Sequence, residues 1–138
     1  MKLSVSMITF QGAAYLKAQM DSILGQSIPV HEIIVCDDGS TDDTREILAT
    51  YAASHPQIQL HFNTKNLGTV ANMQQCLHKT TGELIFLADQ DDVWLPNKVE
   101  KTLAFFQENP DADAVFSNAD IIDEVGETQF GMTLWDII

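Results

Sequence analysis

The sequence predicts an α/β fold in which helices cover a mainly parallel β-sheet. Short apolar runs alternate along the chain with segments whose apolar residues recur at helical spacing, the pattern of strand–helix–strand units with right-handed crossovers. Most of the apolar runs are continuous, which is typical of strands buried on both faces. With 138 residues, of which 45% are hydrophobic, the chain is long enough for one domain with its own core.

Five strands and four helices follow from these patterns. The strand at 58–62 alternates apolar and polar residues and should be half buried, whereas the strand at 84–88 is apolar throughout and should be fully buried. Gly25 can end the first helix, and Pro96 suits the first position of the last one. A short paired strand is expected near 121–122. The predicted strands are 3–8, 32–36, 58–62, 84–88 and 114–117, and the predicted helices are 13–24, from about 41, 70–79 and from 96.

The charge balance excludes several kinds of partner. Twenty acidic residues against seven basic ones give a net charge of −13, which argues against nucleic acid and against attraction to an anionic membrane surface. No segment approaches the roughly 20 apolar residues of a membrane span. Cys36 and Cys76 lack zinc or redox spacing and are expected to be reduced, buried thiols. We therefore expect a cytoplasmic protein without a transmembrane segment.

Polar clusters follow the first four predicted strands, at 9–12, 37–42, 63–68 and 89–92. In an open parallel sheet, ligands bind at the edge formed by the carboxyl ends of the strands, so these clusters should meet in one crevice. Glycine-rich phosphate-binding motifs are absent, and the crevice is acidic. A diphosphate would fit there only with a hard cation, which two carboxylates such as Asp89 and Asp91 can bind.

The acidic pair Asp37 and Asp38 has a structural and a functional interpretation. A turn followed by a helix cap explains residues 39–42 well but explains two successive carboxylates poorly. Because a carboxylate only accepts hydrogen bonds, Asp38 could bind the N3–H of uracil or thymine. At the other acidic cluster, a helix cap before Pro96 fits Asp92 better than Asp89 or Asp91.

Taken together, these motifs resemble the family 2 glycosyltransferases, which are inverting, nucleotide-sugar-dependent enzymes of GT-A fold. The final motif is similar to the branch that includes bacterial rhamnosyltransferases. The resemblance implies a Rossmann-like three-layer sandwich that is truncated on the acceptor side, with residues 1–138 forming a single nucleotide-sugar-binding domain. It rests on residues 3–10, Asp37-Asp38-Gly39-Ser40-Thr41-Asp42, Asn66-Leu67-Gly68 with Asn72, and Leu87 to Lys98, in the family's order and spacing.

The resemblance also implies site residues. It makes Asp91, with Asp89, the ligands of a divalent Mn²⁺ or Mg²⁺. Ala71 stands where the family often has an arginine, so reliance on the metal should be greater. The family's catalytic base and acceptor half would lie beyond Ile138, so no catalytic residue is assigned. The nucleotide-binding residues it implies are Thr9, Asp37, Asp38, Asn66, Gly68, Asn72 and Asp89.

The implied activity is transfer of a sugar, with inversion, from a UDP- or dTDP-linked donor to a hydroxyl of a glycan or lipid-linked acceptor. The implied pathway is cell-surface polysaccharide synthesis at the inner membrane face, with peripheral membrane association of the full-length protein. The isolated chain is expected to bind nucleotide but to transfer little sugar. Its apolar end, residues 134–138, should favour self-association into a homo-oligomer.

Three alternatives remain open. The stretch from Leu84 to Val93 also matches the nucleophile motif of haloacid-dehalogenase-type phosphatases, with Asp89 and Asp91 as nucleophile and acid/base. That interpretation lacks a downstream lysine and leaves Asp37 and Asp38 without a role. A receiver-like signalling domain would need an acidic pair after the first strand. A nucleotide-binding module without catalytic activity would use the same crevice as the transferase.

Overall fold

The computed structural model describes residues 1–136, apart from the side chain of Phe130, and confirms the α/β class. The chain divides into two compact units, one of residues 1–103 and one from residue 104 onward. None of the described helices is long and apolar enough to span a membrane. The elements are β1 (Leu3–Thr9), α1 (Ala13–Leu24), β2 (Glu32–Asp37), α2 (Thr44–Ser54), β3 (Ile58–Phe62), α3 (Thr69–Lys79), β4 (Leu84–Ala88), α4 (Lys98–Glu108), β5 (Asp120–Ile122), β6 (Thr128–Thr133) and a 3₁₀ turn at Leu134–Asp136.

The first unit contains a four-stranded sheet in the order β3-β2-β1-β4, and every pair in it is parallel. The register places Thr9 opposite Asp37, and Met7 opposite Ala88, near the carboxyl ends of the strands. The loops after β1, β2 and β4 therefore leave the sheet at one edge.

Helices cover both faces of this sheet. On one face, α1, α2 and the start of α4 bury a large core that includes Met20, Leu48 and Val99. On the other face, α3 packs Cys76 against Ile34 of β2. Burial of a side chain of this kind contributes roughly 1.5–3 kcal/mol. The two cores hold β1 and β2, whose residues are all buried, in a fixed position between the helical layers.

Two predictions about strands are wrong. Residues 114–117 are irregular, and no strand of residues 1–136 pairs with them, so Phe116 remains 85% exposed. β4 is not fully buried, because Ile85 and Leu87 point to the α3 face, where the described core joins only β1, β2 and α3.

Other predictions are confirmed or shifted by a few residues. The pair expected near 121–122 exists as the antiparallel hairpin of β5 and β6. The alternating strand β3 is half buried, and both cysteines are free and buried. Helices α2 and α4 begin at Thr44 and Lys98, slightly later than predicted. Leu134 and Trp135 of the predicted apolar end are exposed, Ile137 and Ile138 lie outside the described residues, and self-association stays a prediction.

Glu32 anchors the opposite edge of the sheet, at the amino end of β2. Its carboxylate is buried and accepts hydrogen bonds from the Ser4 hydroxyl at 2.6 Å and the Thr81 hydroxyl at 2.8 Å, with the Lys2 ammonium 3.0 Å away. Burial alone would raise its pKa, but these partners, together with the Thr81 amide, outweigh it and lower the pKa to about 2. The ionised form of Glu32 therefore ties β1, β2 and the segment before β4 together.

We expect Glu32→Gln to lower the free energy of unfolding by about 1–3 kcal/mol at neutral pH, since it removes charge-assisted hydrogen bonds. The stabilisation by Glu32 is complete above its ordinary pKa of 4.5 and is lost as the pH falls towards about 2. Urea denaturation between pH 7 and pH 3 should show a smaller loss of stability for Glu32→Gln than for the unmodified chain. Glu83→Gln, an exposed neighbour, is the control; equal pH dependence of all three proteins would contradict this role.

Candidate functional site

A cavity of about 330 Å³ lies at the carboxyl edge of the sheet. Its walls come from the ends of β1, β2 and β4 and from the start of α3, so three of the predicted polar clusters contribute to it. Three of its residues are acidic and none is basic. The lining residues are Ile8, Thr9, Phe10, Asp38, Thr69, Asn72, Asp89, Gln90 and Asp91.

Asp38 is held in one orientation by the loop after β3. Its Oδ1 accepts hydrogen bonds from the Leu67 amide at 2.7 Å and from Asn63 Nδ2 at 2.9 Å, and its Oδ2 accepts one from the Gly68 amide at 2.9 Å. A carboxylate offers about four acceptor positions. Three are filled by these protein donors, so Asp38 keeps an acceptor position on Oδ2 while lining the cavity.

Asn66 and Gly68 hold Asp38 in place rather than lining the cavity. The Asn66 side chain donates to the Asp38 carbonyl at 3.2 Å, and its Oδ1 accepts from the Gly68 amide at 3.1 Å. Gly68 has φ = 86°, a left-handed conformation that favours glycine and turns the chain into α3. In the described structure both residues contact Asp38, and their contact with a nucleotide stays a prediction.

Asp37 is completely buried beneath the cavity and does not line it. Arg45 Nε donates to Asp37 Oδ1 at 2.7 Å, and the Thr9 hydroxyl donates to Oδ2 at 3.0 Å. Burial opposes ionisation of Asp37, but hydrogen bonds from Ser40, Arg45 and Thr9 prevail and lower its pKa. Asp37 therefore joins the end of β1 to the loop after β2 and to α2. Of Asp37 and Thr9, only Thr9 lines the cavity.

Asp89 and Asp91 follow β4, which β1 separates from β2 in the sheet, and both line the cavity while remaining partly open to solvent. Partial burial and the neighbouring charge of Asp91 raise the pKa of Asp89. Partial burial and the charges of Asp91 and Asp89 likewise raise the pKa of Asp92. These acids thus repel one another, and Lys98 offsets only part of the repulsion at Asp92. Such oxygen donors suit a hard divalent cation. No three acidic, histidine or cysteine side chains among residues 1–136 are placed to hold a metal by themselves, so further ligands would have to come from a bound molecule or water.

Asn72 is buried at the start of α3 and connects the cavity to the sheet. Its Nδ2 donates to the Cys36 carbonyl at 2.8 Å, and its Oδ1 accepts from Asn63 at 2.9 Å and from Gln75 at 2.8 Å. Since Asn63 also donates to Asp38, one amide network supports both residues.

Sequence reasoning missed five residues of the site, namely Ile8, Phe10, Asn63, Thr69 and Gln90. Asn63 opens the polar cluster after β3, and Thr69 follows Gly68 directly, so position alone could have indicated both. Phe10 and Gln90 lie within clusters that were recognised, but their side-chain and backbone contacts could not be foreseen.

Comparison with known proteins places this geometry in context. The sequence model of the family described as "Glycosyl transferase family 2" matches residues 4–136. The putative glycosyltransferase EpsE of Bacillus subtilis is 36% identical over 91% of this chain and 45% of its own length. The putative teichuronic acid biosynthesis glycosyltransferase TuaG of the same organism is 35% identical over 75% of this chain and 42% of its own length. The chain spans less than half the length of these relatives.

Among solved structures, the fold is similar to that of Staphylococcus aureus TarS, residues 1–349, in complex with UDP-GlcNAc. The TM-score is 0.72 at 27% identity, and the match covers 78% of this chain and 32% of TarS. The matched part of TarS has the same α/β architecture as this chain.

Proposed function

The chain belongs to glycosyl transferase family 2, and on this premise we propose that it binds a nucleoside diphosphate sugar and serves transfer of the sugar to an acceptor hydroxyl. The observation that carries the proposal is the composition of the cavity. One end presents Asp38 with an acceptor position to spare, and the other presents Asp89 and Asp91 without a basic neighbour in the lining. A nucleotide sugar can use both groups: its base can donate to Asp38, and its diphosphate can bind a metal ion held by Asp89 and Asp91.

The base would lie at the Asp38 end. The remaining acceptor position on Oδ2 suits the N3–H of uracil or thymine, and the half-exposed Phe10 offers an apolar surface beside it. A UDP- or dTDP-linked donor is therefore proposed. The UDP-GlcNAc complex of the similar protein TarS supports the uridine choice.

The diphosphate would lie at the Asp89 and Asp91 end. Two like charges 4 Å apart repel by about 4 kcal/mol at an effective dielectric near 20, so an anion is excluded there without a counter-charge. Arg45, the chain's single arginine, is engaged by Asp37, and Ala71 offers no charge. We propose that Asp91, with Asp89, holds Mn²⁺ or Mg²⁺, which when bound neutralises charge on the leaving diphosphate.

The proposed reaction is a single displacement at the anomeric carbon. An acceptor oxygen forms a bond to this carbon from the face opposite the diphosphate, and the bond to the diphosphate oxygen breaks with its electron pair. The acceptor proton passes to a general base, and the configuration is inverted. No described residue is assigned as that base. We propose that this chain supplies the donor-binding side, in keeping with its span of less than half the relatives' length.

The proposed setting is synthesis of a cell-surface polysaccharide on a glycan or lipid-linked acceptor at the inner membrane face. The similarity to a protein named for teichuronic acid biosynthesis supports this setting. Membership of the rhamnosyltransferase branch stays a prediction.

The phosphatase alternative loses its support. The family match extends over residues 4–136, and the lysine that a phosphatase of that class requires is not among the residues lining the cavity. A nucleotide-binding module without activity remains the second candidate, because the cavity would serve it equally well.

We expect Asp91→Asn to abolish metal-dependent nucleotide binding and to leave the fold intact, because Asp91 is exposed and lines the cavity. Calorimetric titration with UDP and dTDP, each with and without Mn²⁺, measures this. Asp43→Asn makes the same change of charge at an exposed residue outside the cavity and should bind like the unmodified chain. Equal affinity of Asp91→Asn and the unmodified chain would place the cation elsewhere.

We expect Asp38→Ala to weaken binding of uridine and thymidine nucleotides while the requirement for metal remains. CDP sharpens the test, because the N3 of cytosine carries no hydrogen and cannot donate to a carboxylate. The ratio of UDP to CDP affinity should fall in Asp38→Ala by about tenfold, the equivalent of about 1.4 kcal/mol. An unchanged ratio would show that Asp38 does not contact the base.

A product assay separates the transferase from the binding module. The full-length protein should form a product with inverted anomeric configuration, measurable from the proton coupling at the anomeric carbon. We expect the 138-residue chain to bind nucleotide but to transfer at least 10²-fold more slowly, since loss of a general base costs 10²–10⁴-fold in rate. A product with retained anomeric configuration would contradict the single displacement. A transfer rate of the 138-residue chain equal to that of the full-length protein would contradict its assignment as the donor-binding side.

A further inference from the structure

Gln90, between the two cavity acids Asp89 and Asp91, makes a paired contact across the site. Its Oε1 accepts a hydrogen bond from the Phe10 amide at 2.8 Å, and its Nε2 donates to the Phe10 carbonyl at 2.8 Å. The two partners are 80 positions apart in the sequence. Because one side-chain amide satisfies both backbone groups of one residue, the contact fixes the orientation of each partner. We call this pair of hydrogen bonds the Gln90 clamp.

Gly12 shows that the loop after β1 is built around this clamp. A Cβ at Gly12 would lie 2.0 Å from Gln90 Oε1 and 2.3 Å from Gln90 Cδ, distances that non-bonded atoms do not reach. The backbone at Gly12 has φ = −106°, which any residue can adopt, so the conformation itself does not call for glycine. A side chain at this position would therefore displace the end of the Gln90 side chain from Phe10.

The loop needs a clamp because it is strained. Gln11 has φ = 51°, a left-handed conformation that costs a residue with a side chain about 1 kcal/mol. On the β2 side, the Ser40 hydroxyl accepts from the Gln11 amide at 2.9 Å, and Gln11 Oε1 accepts from the Thr41 amide at 2.8 Å. On the β4 side, the loop is held by Gln90.

We propose that Gln90 is a positioning residue of the nucleotide site, which sets the placement of Phe10 at the base end relative to Asp89 and Asp91 at the diphosphate end. All four residues line the same cavity. This inference rests on the proposed function, since it concerns the same site. Gln90 affects binding indirectly: it holds the loop that carries Phe10, and it is flanked in the sequence by Asp89 and Asp91.

Two variants remove the clamp in opposite ways. Gln90→Met keeps the length and approximate volume of the side chain but can make neither hydrogen bond. Gly12→Ala keeps the glutamine but fills the space it occupies. Gln59→Met makes the same chemical change at an exposed residue of β3 outside the cavity and is the matched control.

The experiment reads two quantities in the full chain, below the melting temperature measured for each variant. The first is the hydrogen-exchange rate of the Phe10 amide without ligand, which reports the clamp itself. The second is the dissociation constant for UDP in the presence of Mn²⁺. We expect each clamp variant to speed exchange at Phe10 and to raise the dissociation constant about tenfold, the loss of roughly one or two hydrogen bonds. Both variants break the same contact. The double variant should therefore have a dissociation constant no higher than that of the single variant with the lower affinity.

Each other outcome overturns a stated part of the inference. Unchanged exchange at Phe10 in Gln90→Met would show that the clamp does not hold the loop. Faster exchange with unchanged UDP affinity would make the clamp purely structural, and additive losses in the double variant would separate Gly12 from Gln90. If the unmodified chain binds no UDP, the proposed function fails and the positioning role fails with it, while the exchange rate still decides whether the clamp exists.

Discussion

Two adjacent carboxylates at the end of β2 are buried, and the site is built from the groups that satisfy them. Removing a carboxylate from water is costly unless hydrogen-bond donors or a counter-charge replace the solvent. Asp37 and Asp38 are 0% and 4% exposed, so each must recruit donors. Asp37 draws on the end of β1, on the loop after β2 and on α2, and Asp38 draws on the loop after β3. The donors that satisfy these two acids therefore hold the loops after β2 and β3 in place at this edge of the sheet.

The acids of the loop after β4, Asp89 and Asp91, are not satisfied in this way. Hydrogen bonds lower the pKa of Asp37, whereas burial and the charge of Asp91 raise the pKa of Asp89. Carboxylates of the same type thus differ in their surroundings: Asp37 is satisfied by donors of the protein, whereas Asp89 and Asp91, in our proposal, are left for a metal ion. The chain's only arginine reinforces this division, because Arg45 bonds Asp37 and the Asn63 carbonyl and stacks 5.0 Å from the Phe62 ring. With that cation engaged by Asp37 and no basic residue lining the cavity, our proposal assigns the positive charge at Asp89 and Asp91 to a bound metal.

The loop after β1 joins these two halves. It bonds the β2 loop through Gln11 and the β4 loop through Gln90, and it contributes Phe10 to the cavity wall next to Thr9, the last residue of β1. A change in either contact would move Phe10 with respect to Asp38 on one side and to Asp89 and Asp91 on the other. The geometry of the pocket therefore depends on loop-to-loop hydrogen bonds as well as on the rigid sheet beneath it.

By itself, the sequence determined how the four parallel strands alternate with helices along the chain. It also determined that the loops at the carboxyl edge of the sheet are acidic. It could do so because hydrophobic periodicity and strand-end polarity are local signals, and because parallel strands bring their carboxyl ends together in any arrangement of this class. It could not determine that residues 114–117 would remain unpaired, since a strand requires a neighbour that the local pattern does not specify. The roles of Asp37, Asn66 and Gly68 as supports, of Asn63 beneath Asp38, and of Gly12 as space for Gln90 were decided only by the tertiary structure. Each of these roles depends on a contact between residues distant in the chain, and the type and position of one residue carry no information about which distant group will be within 3 Å of it.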